Sequence, residues 1–353
     1  MKPSLTIAVL FATAATTTLA ITGAHAQATL KLPDQSPAAS VTQTVGLTEI
    51  TVNYHRPAVN GRKIWGALVP YNEPWRAGAN ENTTITVSSD IKVGGKPLRA
   101  GTYGMHVIPT PTDWTIAFST VTTAWGSYSY DQKEDALRVT VTPRTTATSE
   151  ERMLFRFDEP GDTKATLVLA WEKLAAPIAI EVDTPKVALA SIHAQLRGQA
   201  GFSWQAYNQA ASYLLRTGGS LDEAVKLADR SIEMSAAYPN QMTRAALFEK
   251  QGNAKAAADL RTKALPLATE RDLNQTGARL VGEKKYDEAL KVFRLCAERF
   301  PSSADAQDGS GDALAAKGDK AGAIAAYTKA LALAKDPNDK KRLEATIAKL
   351  KGA

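Results

Sequence analysis

Residues 273–306 read LNQTGARLVGEKKYDEALKVFRLCAERFPSSADA, and residues 307–337 read QDGSGDALAAKGDKAGAIAAYTKALALAKDP. Small and aromatic residues recur in these stretches 34 positions apart, as Gly277 and Gly311, Ala289 and Ala323, Phe293 and Tyr327, and Cys296 and Ala330. A unit of two short helices cannot bury its apolar face alone, so it must stack on copies of itself. The period therefore predicts that the C-terminal half of the chain is an all-α helical solenoid.

This repeat resembles the tetratricopeptide (TPR) repeat, and the resemblance implies stacked helix pairs that bind a protein or peptide. Small side chains at the shared positions would let antiparallel helices approach closely. The predicted packing residues are Gly277, Ala289, Phe293, Cys296, Gly311, Ala323, Tyr327 and Ala330. Lys284 departs from the TPR pattern, in which glycine is usual. We predict about four helix pairs over residues 221–353, closed by a lysine-rich capping helix from Lys340 to Lys351.

The first 26 residues have the features of a secretory signal peptide. Lys2 precedes an apolar run from Leu5 to Ala20, and Ala24-His25-Ala26 is a small-x-small cleavage site. A transmembrane anchor is the alternative, but the run is diluted by threonines and short for a membrane span. We expect cleavage after Ala26, a periplasmic or secreted protein, and no membrane span after cleavage.

Residues 41–182 alternate between apolar and polar side chains, which is typical of β-strands. The clearest segments are Thr48–Tyr54, Thr83–Val87, Trp114–Phe118, Arg138–Val141, Met153–Phe157, Thr166–Trp171 and Ile178–Val182. Nine or ten short strands predict an all-β antiparallel sandwich or jelly roll. Helical composition begins after Pro185. We predict a β-sandwich domain over 27–183, linking helices over 184–220 and the repeats over 221–353.

Several motifs with aromatic and polar side chains lie in the loops of the predicted β domain. They are Tyr54-x-Arg56-Pro57, Gly61-Arg62, Trp65-Gly66, Leu68-Val69-Pro70-Tyr71, Trp75-Arg76-x-Gly78-Ala79-Asn80-Glu81 and Ala100-Gly101-Thr102-Tyr103. These motifs resemble the DUF2911 family over about residues 30–182. The resemblance implies an exported β-rich domain, sometimes followed by repeats, without an established reaction. His55 departs from that pattern, in which a small hydroxyl residue is expected.

The same loops supply the candidate ligand-binding residues. These are Arg56, Trp75, Arg76, Asn80, Glu81, Trp125, Tyr128 and Asp135. In one interpretation Arg76 binds an anion while Asn80 and Glu81 hydrogen-bond a small ligand beside Trp75. In the other, Arg76 and Glu81 form a buried ion pair that holds a long loop against the sheets.

Other kinds of site find little support in the sequence. The chain carries 42 basic and 36 acidic residues, and the basic residues of the helical half are mixed with acids, which argues against nucleic-acid binding. The single cysteine, Cys296, cannot form an internal disulfide. Metalloprotease, paired-cysteine, nucleophile-elbow and phosphate-loop motifs are absent from the sequence. We expect no metal and no cofactor.

Two functional hypotheses follow. The leading one is a noncatalytic, exported scaffold that binds a protein or peptide through its repeats, with a small molecule at the sandwich loops as a second ligand. The alternative is a periplasmic enzyme or small-ligand binding protein, with saccharides as one ligand class, that uses the loops around Trp75–Glu81 together with Asp135.

Overall fold

Ten β-strands form the N-terminal part of the computed structural model, which describes residues 32–352. The predicted signal peptide, residues 1–26, lies outside the described residues. The strands are β1 (Ala38–Val45), β2 (Thr48–His55), β3 (Thr84–Val87), β4 (Ile91–Val93), β5 (Lys96–Leu98), β6 (Gly101–Pro109), β7 (Trp114–Ser119), β8 (Asp135–Val141), β9 (Arg144–Asp158) and β10 (Lys164–Val182). One sheet has the order β1-β2-β3-β6-β7-β8, and the other has the order β5-β4-β10-β9.

Both sheets contribute to a single hydrophobic core. Alternate residues of β2 are buried, as expected for a strand with one face on the core. Trp114 of the first sheet and Trp171 of the second are among the largest fully buried side chains. The Trp65 ring lies 4.2 Å from the Trp114 ring and 6.0 Å from the Trp171 ring. The predicted antiparallel all-β architecture is confirmed.

The sequence pattern predicts separate strands at Thr166–Trp171 and Ile178–Val182, but in the structure both belong to the single strand β10. It pairs with β9 between Thr166 and Ala175 and with β4 between Ile180 and Val182. Pro177, which has no backbone N–H, lies between these two paired stretches, so it does not break the strand. Glu172, with a φ of 55°, lies where the register shifts, which is the mark of a β-bulge.

Ten α-helices follow the sheets within the described residues. They are α1 (Thr184–Leu196), α2 (Trp204–Thr217), α3 (Leu221–Met234), α4 (Tyr238–Lys250), α5 (Ala254–Ala264), α6 (Glu270–Gly282), α7 (Tyr286–Arg299), α8 (Ala304–Ala316), α9 (Lys320–Leu333) and α10 (Pro337–Gly352). Helices α2 to α9 pack as four consecutive pairs, and α10 packs on α9. This is the predicted TPR-like solenoid. Helix α2 lies in the segment 184–220 yet pairs with α3, so the linking segment is shorter than expected.

In each helix pair, the turn between the two helices contains one residue whose backbone has a positive, left-handed φ. Three of these residues are glycines, Gly218, Gly252 and Gly318, with φ values of 70°, 79° and 86°. The fourth is Lys284, with a φ of 60°. A side chain at such a position is strained, which explains why glycine is usual there.

The helical part has no single core. Its buried residues form separate clusters along the chain, one around α2 and α3, two between α4 and α8, and one on α9 and α10. Serial clusters of this kind are typical of stacked repeats. In the stretch 32–352, no helix has the length and apolar character needed to cross a bilayer.

Candidate functional site

A row of polar side chains lies on the outer face of the six-stranded sheet. Trp75 and Val107 exchange backbone hydrogen bonds of 2.8 and 2.7 Å, and both pack on the core. Successive side chains along extended backbone alternate between the two faces. Arg76, which follows Trp75, and His106, which precedes Val107, therefore belong to the opposite face. In the register of β6, β7 and β8, His106 lies opposite Ala117, and Ala117 lies opposite Arg138.

His106 is buried under the loop that joins β7 to β8. Its side chain is 2 % exposed, its Nδ1 lies 2.8 Å from the Ser127 Oγ, and its ring centre lies 4.8 Å from that of Tyr130. Burial lowers the pKa of His106, and the nearby Asp135 carboxylate opposes this only in part. The imidazole is therefore neutral at pH 7 and tethers Ser127 to the sheet.

Asp135 holds the other end of the same loop. Its side chain is 3 % exposed, and its Oδ2 accepts hydrogen bonds from the Tyr130 hydroxyl at 2.5 Å and from Arg138 Nη1 at 3.0 Å. Burial raises the pKa of Tyr130, and its hydrogen bond to Asp135 raises it further. Asp135 thus pairs with Tyr130 and Arg138 through Oδ2, while its buried Oδ1 has no hydrogen-bond partner.

Two aromatic rings project from the loop that these contacts hold. Trp125 is 67 % exposed and Tyr128 is 87 % exposed, and their planes lie within 23° of parallel with centres 6.5 Å apart. The Arg76 guanidinium carbon lies 5.9 Å from the Trp125 ring centre. Gly126, which lies between Trp125 and Tyr128 in the loop, has a φ of 76°, and a Cβ there would lie 2.8 Å from the Tyr128 ring. Only glycine allows this arrangement without displacing the ring.

The remaining predicted ligand-binding residues have other partners. The Asn80 amide donates to the Ser36 carbonyl at 3.3 Å, and Arg56 Nε donates to the Met153 carbonyl at 2.9 Å. Glu81 pairs with His55 at 3.1 Å, and its backbone forms a β-bridge with Trp125.

These contacts contradict the interpretation in which Arg76 and Glu81 form a buried ion pair. Glu81 carries its ion pair with His55, while Arg76 lies against Trp125, so the expected Arg76–Glu81 pair is replaced by two separate contacts. The structure brings Arg76, Trp125 and Tyr128 together, whereas Asp135 contacts Arg138 and Tyr130. The Trp75 ring stacks on Trp171 in the core, 5.8 Å away, and the ligand-binding interpretation stays a prediction.

Sequence reasoning missed the supporting side chains Ser127, Tyr130 and Arg138. His106 had one usable signal, since a histidine between Met105 and Val107 in an alternating strand must lie on the face away from the core. Ser127 and Tyr130 carry no such signal, because their partners come from strands distant in the chain.

The residues predicted to pack the repeats are buried between helices. A Cβ at Gly277 would lie 2.5 Å from the Phe293 ring, and one at Gly311 would lie 2.5 Å from the Tyr327 ring. The Cys296 thiol is enclosed near Asn274, and burial raises its pKa. Such a thiol is poorly reactive. Ala289, Ala323 and Ala330 are also buried.

An open cleft of about 450 Å³ separates the second helix pair from the third. Its apolar lining includes Tyr238, Met242, Leu280 and Val292, and the charged residues around it are Glu249, Arg261, Arg279, Glu283, Lys285 and Glu288. Helices α3 and α4 pack closely, as do α7 and α8, but α5 and α6 contact each other only weakly. The cleft exists because this junction of the solenoid is loosely packed.

A larger groove of about 860 Å³ lies where the sheets meet the first helices. It is lined by the β1–β2 turn at Gly46 and Leu47 and by residues of α1 and α2 such as Ile192 and Tyr213. Among residues 32–352, no group of three or more histidine, cysteine or acidic side chains is placed to hold a metal ion.

Comparison with known proteins divides the chain in the same way. Residues 36–180 match the family model described as "Protein of unknown function (DUF2911)". No curated protein matches the chain.

Solved structures that match the chain include several TPR proteins. One is YrrB, described as "a TPR protein with an unusual peptide-binding site", at 21 % identity over 45 % of this chain and 83 % of that chain, with a TM-score of 0.29. MamA from Desulfovibrio magneticus RS-1 matches at 22 % identity over 44 % of this chain and 93 % of its own, with a TM-score of 0.27. Pseudomonas aeruginosa PilF matches at 20 % identity over 43 % and 75 %, with a TM-score of 0.29. Residues 36–180 thus match the DUF2911 family model, and a TPR-like solenoid follows them.

Proposed function

We propose that this protein is an exported, noncatalytic interaction scaffold that binds a peptide, or an extended segment of a protein, in the cleft between its second and third helix pairs. The observation that carries the proposal is the cleft itself, an open space within the repeats whose lining combines apolar side chains with charges of both signs. The expected signal peptide supports export.

The floor of the cleft supplies apolar contacts of the kind that anchor a peptide. Met242 is partly exposed beside Tyr238, and Leu280 and Val292 face them from the next helix pair. Methionine adapts to different partners because its side chain is flexible and polarisable. An apolar side chain of a partner would therefore be buried between α4 and α6.

The rim supplies charges of both signs that are already paired within the protein. Glu249 accepts a hydrogen bond from Arg261 at 2.5 Å, and Glu283 accepts one from Lys285 at 3.0 Å and another from Arg279. Exposed pairs of this kind contribute little to stability, so their charges can be redirected to a partner at small cost. A peptide with acidic and basic residues on either side of an apolar anchor fits this rim.

Phage display of a random peptide library on the mature protein tests the proposal. Selected peptides would be labelled, and their binding measured by fluorescence anisotropy. The double charge reversal Arg279→Glu with Lys285→Glu should weaken binding at least about tenfold, a loss of about 1.4 kcal/mol.

The matched control is Lys291→Glu with Lys329→Glu, which reverses two exposed lysines outside the cleft lining and should leave binding within about twofold. Circular dichroism would check that all variants are folded. Enrichment of no peptide, or binding that the cleft variant leaves unchanged, would contradict the proposal.

A further inference from the structure

We propose that Arg76, Trp125 and Tyr128 form a platform that binds a neutral saccharide on the β domain. This platform is separate from the helical cleft, so the inference does not depend on the proposed function.

The first step is the exposure of the rings. Trp125 is the most exposed tryptophan of the described chain, and Tyr128 beside it is exposed even more fully. A tryptophan that is not part of the core leaves a large apolar face in water, which is unfavourable unless something covers it. The other tryptophans of the β domain are buried or packed against the core.

The second step is the rigidity of their presentation. The loop is tethered by the β-bridge between Glu81 and Trp125, by the contact of Ser127 with the buried His106, and by the hydrogen bond from Tyr130 to Asp135. Three tethers hold the 15 residues between Ser119 and Asp135, so the rings are ordered before a ligand arrives. Such preorganisation removes much of the entropy that binding would otherwise cost.

The third step is the chemistry around the rings. The negative π-faces of an indole and a phenol attract the weakly positive C–H groups on the flat face of a sugar ring. Arg76 is partly exposed, and its guanidinium offers N–H donors beside the Trp125 ring. Glu81, which pairs with Trp125 in a β-bridge, has a largely exposed carboxylate that contacts His55 through one oxygen and can accept further hydrogen bonds. Hydroxyl groups both donate and accept hydrogen bonds, so a sugar can accept from the Arg76 N–H groups and donate to the Glu81 carboxylate.

The charges favour a neutral sugar over an acidic one. Arg76 alone would attract a carboxylate or phosphate, but the β-bridge between Glu81 and Trp125 places a second, negative charge next to the ring, which would repel an anion. Glu81 also lines an open groove of about 400 Å³ along β1 and β2. The surface can therefore follow a chain of several sugar units beyond the rings.

Acrylamide quenching of tryptophan fluorescence in the full mature protein tests this inference. Because Trp125 is the most exposed indole, it should dominate the quenching. Cellohexaose, chitohexaose, maltohexaose and xylohexaose would be titrated in turn as probes. We expect at least one to protect the indole from quenching saturably, with calorimetry giving the same dissociation constant.

Three variants separate the platform from the rest of the protein. Trp125→Ala and Tyr128→Ala should each weaken binding at least about tenfold. Phe202→Ala, which removes another aromatic ring that is 87 % exposed but lies beyond the β domain, should leave binding unchanged. Circular dichroism would confirm folding.

Two results would overturn the proposal: saturable binding of none of the four oligosaccharides up to millimolar concentration, or binding that survives the double substitution of both rings. A purified protein partner whose binding alone requires Trp125 would also overturn it. That result would assign the platform to protein recognition, in which Trp, Tyr and Arg are common anchors.

Discussion

The β domain and the helical repeats differ in the sequence separation of the residues that contact each other. In the β domain, the Tyr54 hydroxyl reaches the Phe155 carbonyl and Arg56 reaches the Met153 carbonyl, so contacts join residues about one hundred positions apart. In the repeats, Tyr327 bonds to Asp312, and Tyr238 lies near Thr276 in the next pair. One core of distant residues should unfold as a unit, whereas serial local clusters can open separately. The predictions below test this difference.

The largest effect is expected in the β core. Trp171→Ala removes a fully buried indole that contacts Trp65 and Trp75, and should lower the free energy of unfolding of the β domain by about 3–5 kcal/mol. Urea unfolding would be followed by tryptophan fluorescence for the sheets and by circular dichroism at 222 nm for the helices. Only the fluorescence transition should move.

Trp125→Ala is the matched control for this prediction, because its ring is exposed and its loss should cost little. If both transitions move together in Trp171→Ala, the two parts of the chain unfold as one unit and the comparison fails.

The next effect should be confined to a few helices. Gly277→Ala places a methyl group where the Phe293 ring already lies, and the strain of overpacking, about 1–3 kcal/mol, exceeds the gain of at most about 1 kcal/mol in helix propensity. Hydrogen exchange should accelerate in α6, α7 and α8 and remain unchanged in the β-strands.

Gly282→Ala provides the opposite case in the same helix, because no atom lies within 4 Å of a Cβ there. It should be neutral or stabilising. Equal destabilisation by both substitutions would show that contact with Phe293 is not the cause.

A pH-dependent effect should appear in the β domain. Because burial lowers the pKa of His106 below its usual 6.5, the unfolded chain binds a proton on this side chain at a higher pH than the folded protein does. The stability that neutral His106 contributes is therefore complete above pH 6.5. It is lost as the pH falls, by at most about 1.4 kcal/mol for each pH unit.

Urea unfolding at pH 7.5, 6.5 and 5.5, followed by fluorescence, would measure this slope. His106→Gln should flatten it. An unchanged slope in His106→Gln would show that another group is responsible.

The smallest effect concerns the turn between α6 and α7. Lys284→Gly relieves the strain of a positive φ and should stabilise the third helix pair by about 0.5–1 kcal/mol. Lys284→Ala removes the charge but keeps the strain, so it should give no gain. Urea unfolding monitored at 222 nm would compare the two, and equal gains would point to charge rather than backbone conformation.

The sequence predicted the repeats more completely than it predicted the site. Gly277 and Phe293 belong to one 34-residue unit, and the same relation recurs at Gly311 and Tyr327, so periodicity alone indicates the contact. The ligand-binding candidates occur once in the chain, so no repeated spacing indicates their contacts. Arg76 and Glu81 are five positions apart, yet each contacts a residue from another part of the chain.

The amino-acid sequence by itself determined the two architectures and the helical packing positions, because period-two and 34-residue patterns are local properties of the chain. Only the tertiary structure decided which polar groups meet. His106 contacts Ser127 across 21 positions, and Trp125 meets Arg76 across 49, because sheet pairing brings distant strands together. The tertiary structure also decided where the cleft between helix pairs lies. Weak packing between α5 and α6 depends on how whole helices fit, a property that no single position in the repeat encodes.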